Sequence, residues 1–248
     1  MDETRLLQSR LDDLIDASRE ESYAYLGFLN EKEASFASGY LKNLHLCFNL
    51  YGGYENATRV FVCVCSDDYT AFDVTLYPIK ALMIESSGFK KLSHRDYLGS
   101  LMGLGIKREC IGDILSVDEH RAVAFVRDEI CYYVISQLEA VGREKVKVYE
   151  YSGSTDKLCT KHEELTFIVT SMRIDNIVSS LCKVSRSEAV SLIESDKVFV
   201  NYSIPSKVSC CVSFGDTVSI RGYGKFKLVM QTNTTKRDRL VIKVLHYI

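Results

Sequence analysis

The fold of this chain is decided by residues 172–201, MRIDNIVSSLCKVSRSEAVSLIESDKVFVN. Apolar residues recur in the first part of this stretch at Ile174, Ile177, Val178 and Leu181. Residues three and four positions apart share one face of a helix, so this spacing predicts an amphipathic helix. The closing run, KVFVN, is rich in β-branched and aromatic residues and predicts a strand.

A second helix is predicted to begin in the middle of this stretch. Ser185 is a favourable N-cap, and Glu188 follows at the spacing of a capping box. The helix then covers residues 186–195 and presents Arg186 and Ser187 at its N-terminus. Such an end attracts phosphate through unpaired N–H groups and the helix dipole. Arginine adds bidentate hydrogen bonds to phosphate oxygens.

Arg173 extends this basic end if the two helices pack at a steep angle, because two guanidinium groups then clamp one backbone. The region 171–248 resembles the S-four-type RNA-binding domain, an αL-like module. The residues that carry the resemblance are Arg173, Asp175, Ser185-Arg186-Ser187, Ala189, Ile193, Val198, Val200, Asn201, Gly215-Asp216 and Arg221-Gly222. The alternative interpretation is an ordinary helical hairpin with a solvated basic edge.

The charge of the chain is unevenly distributed, although its formal net charge is only −2. Residues 171–248 hold 12 Lys and Arg against 6 Asp and Glu, and residues 1–170 hold 19 against 27. A basic C-terminal module on a more acidic body suits a polyanionic partner. The asymmetry therefore supports an RNA partner for this module.

The composition argues against membrane, exported and metal-binding classes of protein. No run of 18 apolar residues is present, and the first ten residues, MDETRLLQSR, lack an apolar signal region. The nine cysteines form no Cys-x-x-Cys pair. We therefore expect buried thiols in a reducing cytoplasm, no membrane span, and neither a metal nor a cofactor.

Three domains are predicted, and the expected fold class is α+β. Residues 1–57 are expected to form an N-terminal helical region, with helices over 3–20 and from Asn30 to about Asn43. Residues 58–153 show the order β-β-α-β-β-α-β, which fits a ferredoxin-like, RRM-like sandwich with one strand extra. The aromatic stacking signature of an RRM is not evident.

The segment 93–114, SHRDYLGSLMGLGIKRECIGDI, is the most distinctive part of the middle domain. Gly99, Gly103 and Gly105 interrupt a predicted helix, where each interior glycine costs about 1 kcal/mol. The flanking basic residues are His94, Arg95, Lys107 and Arg108. One interpretation is a secondary RNA or ribosome contact; the other is a helix packed tightly on its own sheet.

The segment HRDYLGSLMGLGIKR, together with GGYENATR at 52–59, closely resembles the YlmH family. That resemblance covers nearly the whole chain and implies a helical N-terminal region, an RRM-like domain and an S-four-type domain. It also implies a protein of ribosome-associated quality control that binds the large ribosomal subunit, rRNA and tRNA. The family has in addition been linked to cell division.

We therefore predict a non-catalytic, cytoplasmic, monomeric RNA-binding protein whose contacts form one cluster. The predicted RNA-binding residues are Arg173, Lys183, Ser185, Arg186, Ser187, Asn201, Lys207, Arg221 and Lys225. Two alternatives stay open: an adaptor in cell division, and an RNA-modifying enzyme of the pseudouridine synthase type. Met172–Asp175 echoes a synthase motif, but no large catalytic domain or phosphate-binding loop accompanies it.

Overall fold

The structure, a computed structural model, describes residues 3–55, 57–65, 72–88, 91–154, 162–235 and 237–247. The chain divides into two compact units, Met1–Cys159 and Thr160–Ile248. Each unit combines helices with antiparallel strands. The α+β class expected from the sequence is confirmed.

The first unit begins with a small sheet carrying two helices. Its elements are α1 (Glu3–Glu21), β1 (Tyr23–Leu29), α2 (Glu31–Asn43), β2 (Cys47–Tyr51) and β3 (Val60–Cys65). The strands lie in the order β1-β3-β2, with β3 antiparallel to both neighbours. All six residues of β3 are buried, as expected for a continuous apolar run in a central strand.

The two predicted N-terminal helices are confirmed. In α1 the buried face holds Leu7, Leu11, Leu14 and Ile15, while Leu6 is exposed. The helix α2 begins with a complete capping box. The Asn30 side chain accepts from backbone N–H groups of the first turn, and the Glu33 carboxylate accepts from the Asn30 N–H.

The expectation of a helical N-terminal region is wrong in one respect, because this region contains a sheet. The run YAYLGFL forms β1, which reflects the strand preference of aromatic residues. The strand β3, which the sequence assigned to the middle domain, completes the same sheet. The strand β3 is therefore the extra strand that we predicted in the middle domain, and it belongs to the N-terminal sheet. A buried apolar run identifies a strand but does not identify the strands with which it pairs.

The second sheet of this unit follows β3. Its elements are β4 (Ile79–Ser86), α3 (His94–Gly103), β5 (Ile111–Ser116), β6 (Arg121–Arg127), α4 (Asp128–Gln137), β7 (Ala140–Val141) and β8 (Glu144–Glu150). The strand order is β5-β6-β4-β8-β7, and every neighbouring pair is antiparallel. The helices α3 and α4 contribute Tyr97, Leu101 and Val134 to the apolar core against it.

Two element boundaries differ from those that the sequence indicates, which are a strand over Phe72–Ile84 and a helix from Asp128 to about Ala140. The strand β4 begins only after Pro78, and Val74–Leu76 form a short 3-10 turn, since proline cannot donate to a sheet ladder. The helix α4 ends at Gln137, earlier than expected. The next residues pair with β8 across a turn at Gly142, which adopts φ +61°.

The second unit packs two helices on a five-stranded sheet. Its elements are β9 (His162–Val169), α5 (Ile174–Cys182), α6 (Arg186–Glu194), β10 (Val198–Val200), β11 (Thr217–Ile220), β12 (Gly224–Thr234) and β13 (Leu240–Tyr247). The strand order is β10-β11-β12-β13-β9. Both helices and the strand over 197–201 were predicted from the sequence.

The core of the second unit lies between the helices and one face of this sheet. The predicted stripe of α5, with Ile174, Ile177 and Val178, is fully buried there against strand residues such as Val218 and Leu228. The strand β9 was not predicted, although it pairs with β13 along its whole length. Most of its residues are exposed, so its sequence lacks the apolar run of a central strand.

Candidate nucleic-acid interface

The N-terminus of α6 is built as the sequence predicts. Ser185 caps the helix, and its Oγ accepts from the Glu188 N–H at 3.3 Å. The Glu188 carboxylate accepts from the Ser185 N–H at 2.8 Å and from the Ser185 hydroxyl at 2.6 Å. The Ser185 and Ser187 hydroxyl oxygens lie 3.1 Å apart on the exposed side of this turn. The lowered pKa of Glu188 follows from the hydrogen bonds with Ser185.

Arg173 and Arg186 meet at one carboxylate, that of Asp175. Arg173 donates from Nε to Oδ1 at 3.1 Å and from Nη2 to Oδ2 at 2.9 Å. Arg186 donates to Oδ2 from Nε at 3.1 Å and from Nη2 at 2.8 Å. The sequence predicted that the two arginines lie side by side, and the structure brings them together.

Asp175 carries part of the S-four-type resemblance, but its role as the acceptor between the two arginines was not predicted from the sequence. Its side chain is 3% exposed, while those of Arg173 and Arg186 are 40% and 64% exposed. Hydrogen bonds from Arg173, and then from Arg186, lower its pKa to about 2 against the opposing effect of burial. Asp175 adjoins Ile174 on an otherwise apolar helix face, and a carboxylate in such a place requires partners. In the sequence, this position of Asp175 beside the apolar residues was the signal that its carboxylate would be paired.

The arginine pair and the hydroxyls therefore form one surface, which we call the helix-end cluster: Arg173, Ser185, Arg186 and Ser187. Lys183 lies in the turn that joins α5 to α6. It closes α5 in a left-handed conformation with φ 55°, and it is exposed. The cluster holds two positive charges over one buried negative charge. The Glu188 carboxylate on Ser185 adds a second negative charge and Lys183 a third positive one, so three positive charges against two negative leave a small excess that favours an anion.

Arg221 and Lys225 form a second group, in the β11–β12 hairpin. The Arg221 guanidinium lies over the Phe199 ring at 5.6 Å, and the Lys225 ammonium lies over the Tyr202 ring at 5.1 Å. Side chains alternate along a strand. Phe226, next to Lys225, faces the helices in the core. The hairpin group therefore lies on the opposite sheet face, so the expectation of one cluster is wrong.

The last two predicted residues of this unit also lie apart from the helix-end cluster. The Asn201 side chain bridges to the start of β11: its Nδ2 donates to Asp216 at 2.7 Å, and its Oδ1 accepts from the Thr217 N–H at 2.9 Å. Both ends of its amide are thus engaged within the fold. Lys207 is exposed on the segment that joins β10 to β11.

The secondary basic residues of the first unit separate into two places. His94 and Arg95 are exposed in the first turn of α3, whereas Lys107 and Arg108 follow its C-terminus. Ten residues of helix span about 15 Å, so these two pairs lie at opposite ends of α3.

The glycines of α3 do not pack against anything within the described residues. A Cβ added at Gly99, Gly103 or Gly105 would meet no atom within 4 Å. The helix α3 does pack on its own sheet, through Tyr97 and Leu101, but these glycines take no part in that contact. Gly105 has φ +80°, a conformation that favours glycine, and it follows the helix end.

Comparison with known proteins gives three findings. The "Ribosome-associated protein quality control protein P2" of Bacillus subtilis (strain 168) is 27% identical over 214 residues, which are 86% of this chain and 82% of that protein. A family model described as "Putative RNA-binding domain in YlmH" matches residues 68–155. The solved "Cell division protein ylmH from Streptococcus pneumoniae" superposes with a TM-score of 0.51 and 25% identity, over 61% of this chain and 92% of that chain. The expected resemblance to the YlmH family is confirmed.

The YlmH domain match covers the second sheet of the first unit and not the helix-end cluster. It includes α3 with His94 and Arg95, and it includes Lys107 and Arg108. Among the described residues, no helix is long and apolar enough to cross a membrane. Within the same ranges, no three His, Cys, Asp or Glu side chains gather in a way that suits a metal ion.

Proposed function

We propose that this protein is a non-catalytic RNA-binding protein that associates with the ribosome in ribosome-associated quality control. The large subunit, with its rRNA and tRNA, is the proposed partner, which implies a cytoplasmic location. The observation that carries the proposal is the arginine pair that Asp175 holds at the N-terminus of α6.

The geometry of this pair suits a phosphate backbone. Both arginines direct their Nε and Nη2 atoms to Asp175. Their Nη1 groups remain for other acceptors, and both side chains are well exposed. Two adjacent guanidinium groups and the exposed Ser187 hydroxyl together offer donors to successive phosphate oxygens, whereas the Ser185 hydroxyl donates to Glu188. Contacts of this kind position RNA without reading its sequence, and structured RNA is then recognised by shape.

The comparisons support the same proposal. The family model is named for RNA binding, and the relative from Bacillus subtilis is named for ribosome-associated quality control. Part of the proposal is that 171–248 is an S-four-type domain, which β9 extends at one sheet edge. We also propose that β4 to β8 form the RRM-like domain. Without β7, their strand order is that of a ferredoxin-like βαββαβ unit.

The salt dependence of RNA binding tests the helix-end cluster. The full chain is titrated with tRNA and with an rRNA fragment at several KCl concentrations, and the logarithm of the association constant is plotted against that of the salt concentration. The variant Arg186→Gln keeps the Arg173–Asp175 pair, so Asp175 retains a partner. We expect this variant to reduce the slope by about one unit, the effect of one lost phosphate contact.

The matched control is Lys243→Gln. Lys243 pairs with Glu164 at 2.7 Å on the opposite face of the sheet, so its charge is already neutralised. The Lys243→Gln protein should bind RNA with the same affinity and salt dependence as the unaltered protein. An affinity that does not depend on salt would refute the proposal, as would an Arg186→Gln slope equal to that of the control.

The name of the solved relative favours a second candidate function, an adaptor in cell division. In that case the more acidic first unit recruits a protein partner, and RNA binding is secondary. Affinity purification before and after ribonuclease treatment separates the two candidates. Partners that stay bound after digestion favour the adaptor, and partners lost with the RNA favour the ribosomal role.

A further inference from the structure

A cavity of about 480 Å³ opens on the first unit, between the small sheet and the end of α3. Four cationic side chains line it: Arg10, Arg59, Lys107 and Arg108. Two carboxylates, those of Glu33 and Glu109, also line it. All of these residues belong to the first unit, so the cavity is separate from the helix-end cluster.

Arg59 and Arg108 form the floor of this cavity and are half-buried. Arg59 donates from Nε to the Ile111 carbonyl at 3.0 Å, and from Nη2 to the carbonyls of Phe28 at 2.8 Å and Arg108 at 3.3 Å. Arg108 donates from Nη1 to the carbonyls of Ile111 and Gly112. Backbone oxygens therefore fix both guanidinium groups side by side.

Neither of these two guanidinium groups forms a direct ion pair among the described residues, although the charges of Glu33 and Asp113 act on Arg59 and that of Asp113 acts on Arg108. Within those ranges, both guanidinium groups donate only to backbone carbonyls. Three of their nitrogen atoms donate to no described atom: Nη1 of Arg59, and Nε and Nη2 of Arg108. Burial, and then the charge of Arg59, lower the pKa of Arg108 to about 10. Burial also lowers the pKa of Arg59. Both groups stay charged at neutral pH, and two adjacent half-buried cations favour an anion beside them.

The carboxylates of the cavity are already engaged. Glu109 lies 3.5 Å from Arg10 in an ion pair. Glu33 accepts the Asn30 N–H at 2.7 Å in the capping box of α2. The lining holds four cations against two anions, and the Asp113 carboxylate beside Arg59 reduces the local excess of positive charge from two to one. Lys107 is exposed at the rim, so its ammonium is able to reach a bound anion.

The cavity is also where the two distinctive segments of the sequence meet. Arg59 ends GGYENATR, and Lys107 and Arg108 end the segment HRDYLGSLMGLGIKR. Asp113 fixes the first segment by accepting the Tyr54 hydroxyl at 2.7 Å and the Arg59 N–H at 3.3 Å. The helix-end cluster uses neither segment, so the proposed function leaves both without a role.

We propose that this cavity is a binding site for a phosphate group, carried either by a nucleotide or by an RNA strand. The adjacent guanidinium groups match the oxygens of a phosphate in bidentate geometry, and Lys107 adds a point charge at the rim. The volume falls within the range of small-ligand sites, about 300–1,000 Å³. This site is independent of the helix-end cluster, so either proposal can fail without the other.

Calorimetric titration of the full chain tests the site with three probes: inorganic phosphate, adenosine monophosphate, and a single-stranded pentaribonucleotide. Lys107→Glu should weaken binding about tenfold or more, because it replaces a charge-assisted contact by a repulsive one. Glu109→Gln should strengthen binding severalfold, because it releases Arg10 from its ion pair. A merely destabilised variant does not bind more tightly, so this gain separates a binding role from a structural one.

Arg143→Glu is the control for charge. Arg143 is exposed in the turn between β7 and β8 and does not line the cavity. Binding of any probe that Lys107→Glu weakens, Glu109→Gln strengthens and Arg143→Glu leaves unchanged supports the site. The probe that binds most tightly then identifies the source of the phosphate. No binding by any of the three at millimolar concentration overturns the proposal, as does an equal loss in Lys107→Glu and Arg143→Glu.

Discussion

Replacing Asp175 by asparagine removes the one negative charge that holds two arginines together. The substitution keeps the size of the side chain but cancels both ion pairs. In the folded protein the pKa of Asp175 is lowered from 3.8 to about 2. A depressed carboxyl pKa means that the folded state is stabilised when the group is ionised. At neutral pH we expect Asp175→Asn to lower the free energy of unfolding by about 2 kcal/mol, since one pKa unit corresponds to about 1.4 kcal/mol.

The sign of the pH dependence follows from the same shift. The contribution of Asp175 is fully present above its unfolded pKa of 3.8 and is lost as the pH falls through the folded value of about 2. The difference between the unaltered protein and Asp175→Asn should therefore be constant from pH 7 to pH 5. It should fall to roughly half at pH 3.

Two measurements check this prediction. Hydrogen exchange by mass spectrometry at pH 7, on peptides from α5 and α6, reports the second unit separately from the first. About 2 kcal/mol corresponds to a roughly 30-fold faster exchange in the variant, provided that exchange occurs through unfolding of the unit. Urea unfolding followed by circular dichroism at pH 7, 5 and 3 then gives the pH series. Equal stability at pH 7, or a difference that does not shrink by pH 3, would refute the reasoning.

Three further predictions concern other residues. Ser185→Ala should destabilise the second unit by about 1 kcal/mol, the usual effect of losing an N-cap, measured by hydrogen exchange in α6. Gly99→Ala should stabilise the first unit by about 1 kcal/mol, measured by thermal unfolding, because its Cβ meets open space on an exposed helix. Arg221→Ala should reduce RNA affinity less than Arg186→Gln, since Arg221 lies over Phe199 on the other sheet face; competition binding at one salt concentration measures this.

Each of these three has an outcome that contradicts it. Unchanged exchange in Ser185→Ala would mean that the capping box does not stabilise α6. A destabilised Gly99→Ala would show that the helix surface is covered in solution. An Arg221→Ala protein that loses more affinity than Arg186→Gln would mean that the RNA lies on the hairpin face of the sheet.

Local features of this chain were predictable because their causes lie within a few residues. The capping boxes of α2 and α6 need only an N-cap and the residue three positions later, and both are present as predicted. The apolar stripe of α5 gave its buried face correctly. Both partners of each capping box lie within one helical turn, and the spacing that defines the stripe lies within one helix.

Features that depend on distant residues were not predictable. The run VFVCVC identifies β3 as a buried strand, but its neighbours β1 and β2 are set by packing of the whole region. Asp175 becomes the centre of the interface only because Arg186, eleven residues away, folds back to it. The positive residues 221 and 225 contribute to the same net charge, but strand alternation places them on the opposite face from the helices. Net charge does not contain that information.

If the proposed function holds, the single internal counter-ion of the arginine pair affects how the protein releases bound RNA. Added salt weakens contacts between exposed charges much more than contacts to a group that is 3% exposed. Dissociation therefore breaks the outer contacts while both side chains keep their orientation. The free protein then keeps both guanidinium groups in the orientation that binds RNA. A rise in ionic strength lowers the fraction of protein bound to RNA but does not change this orientation.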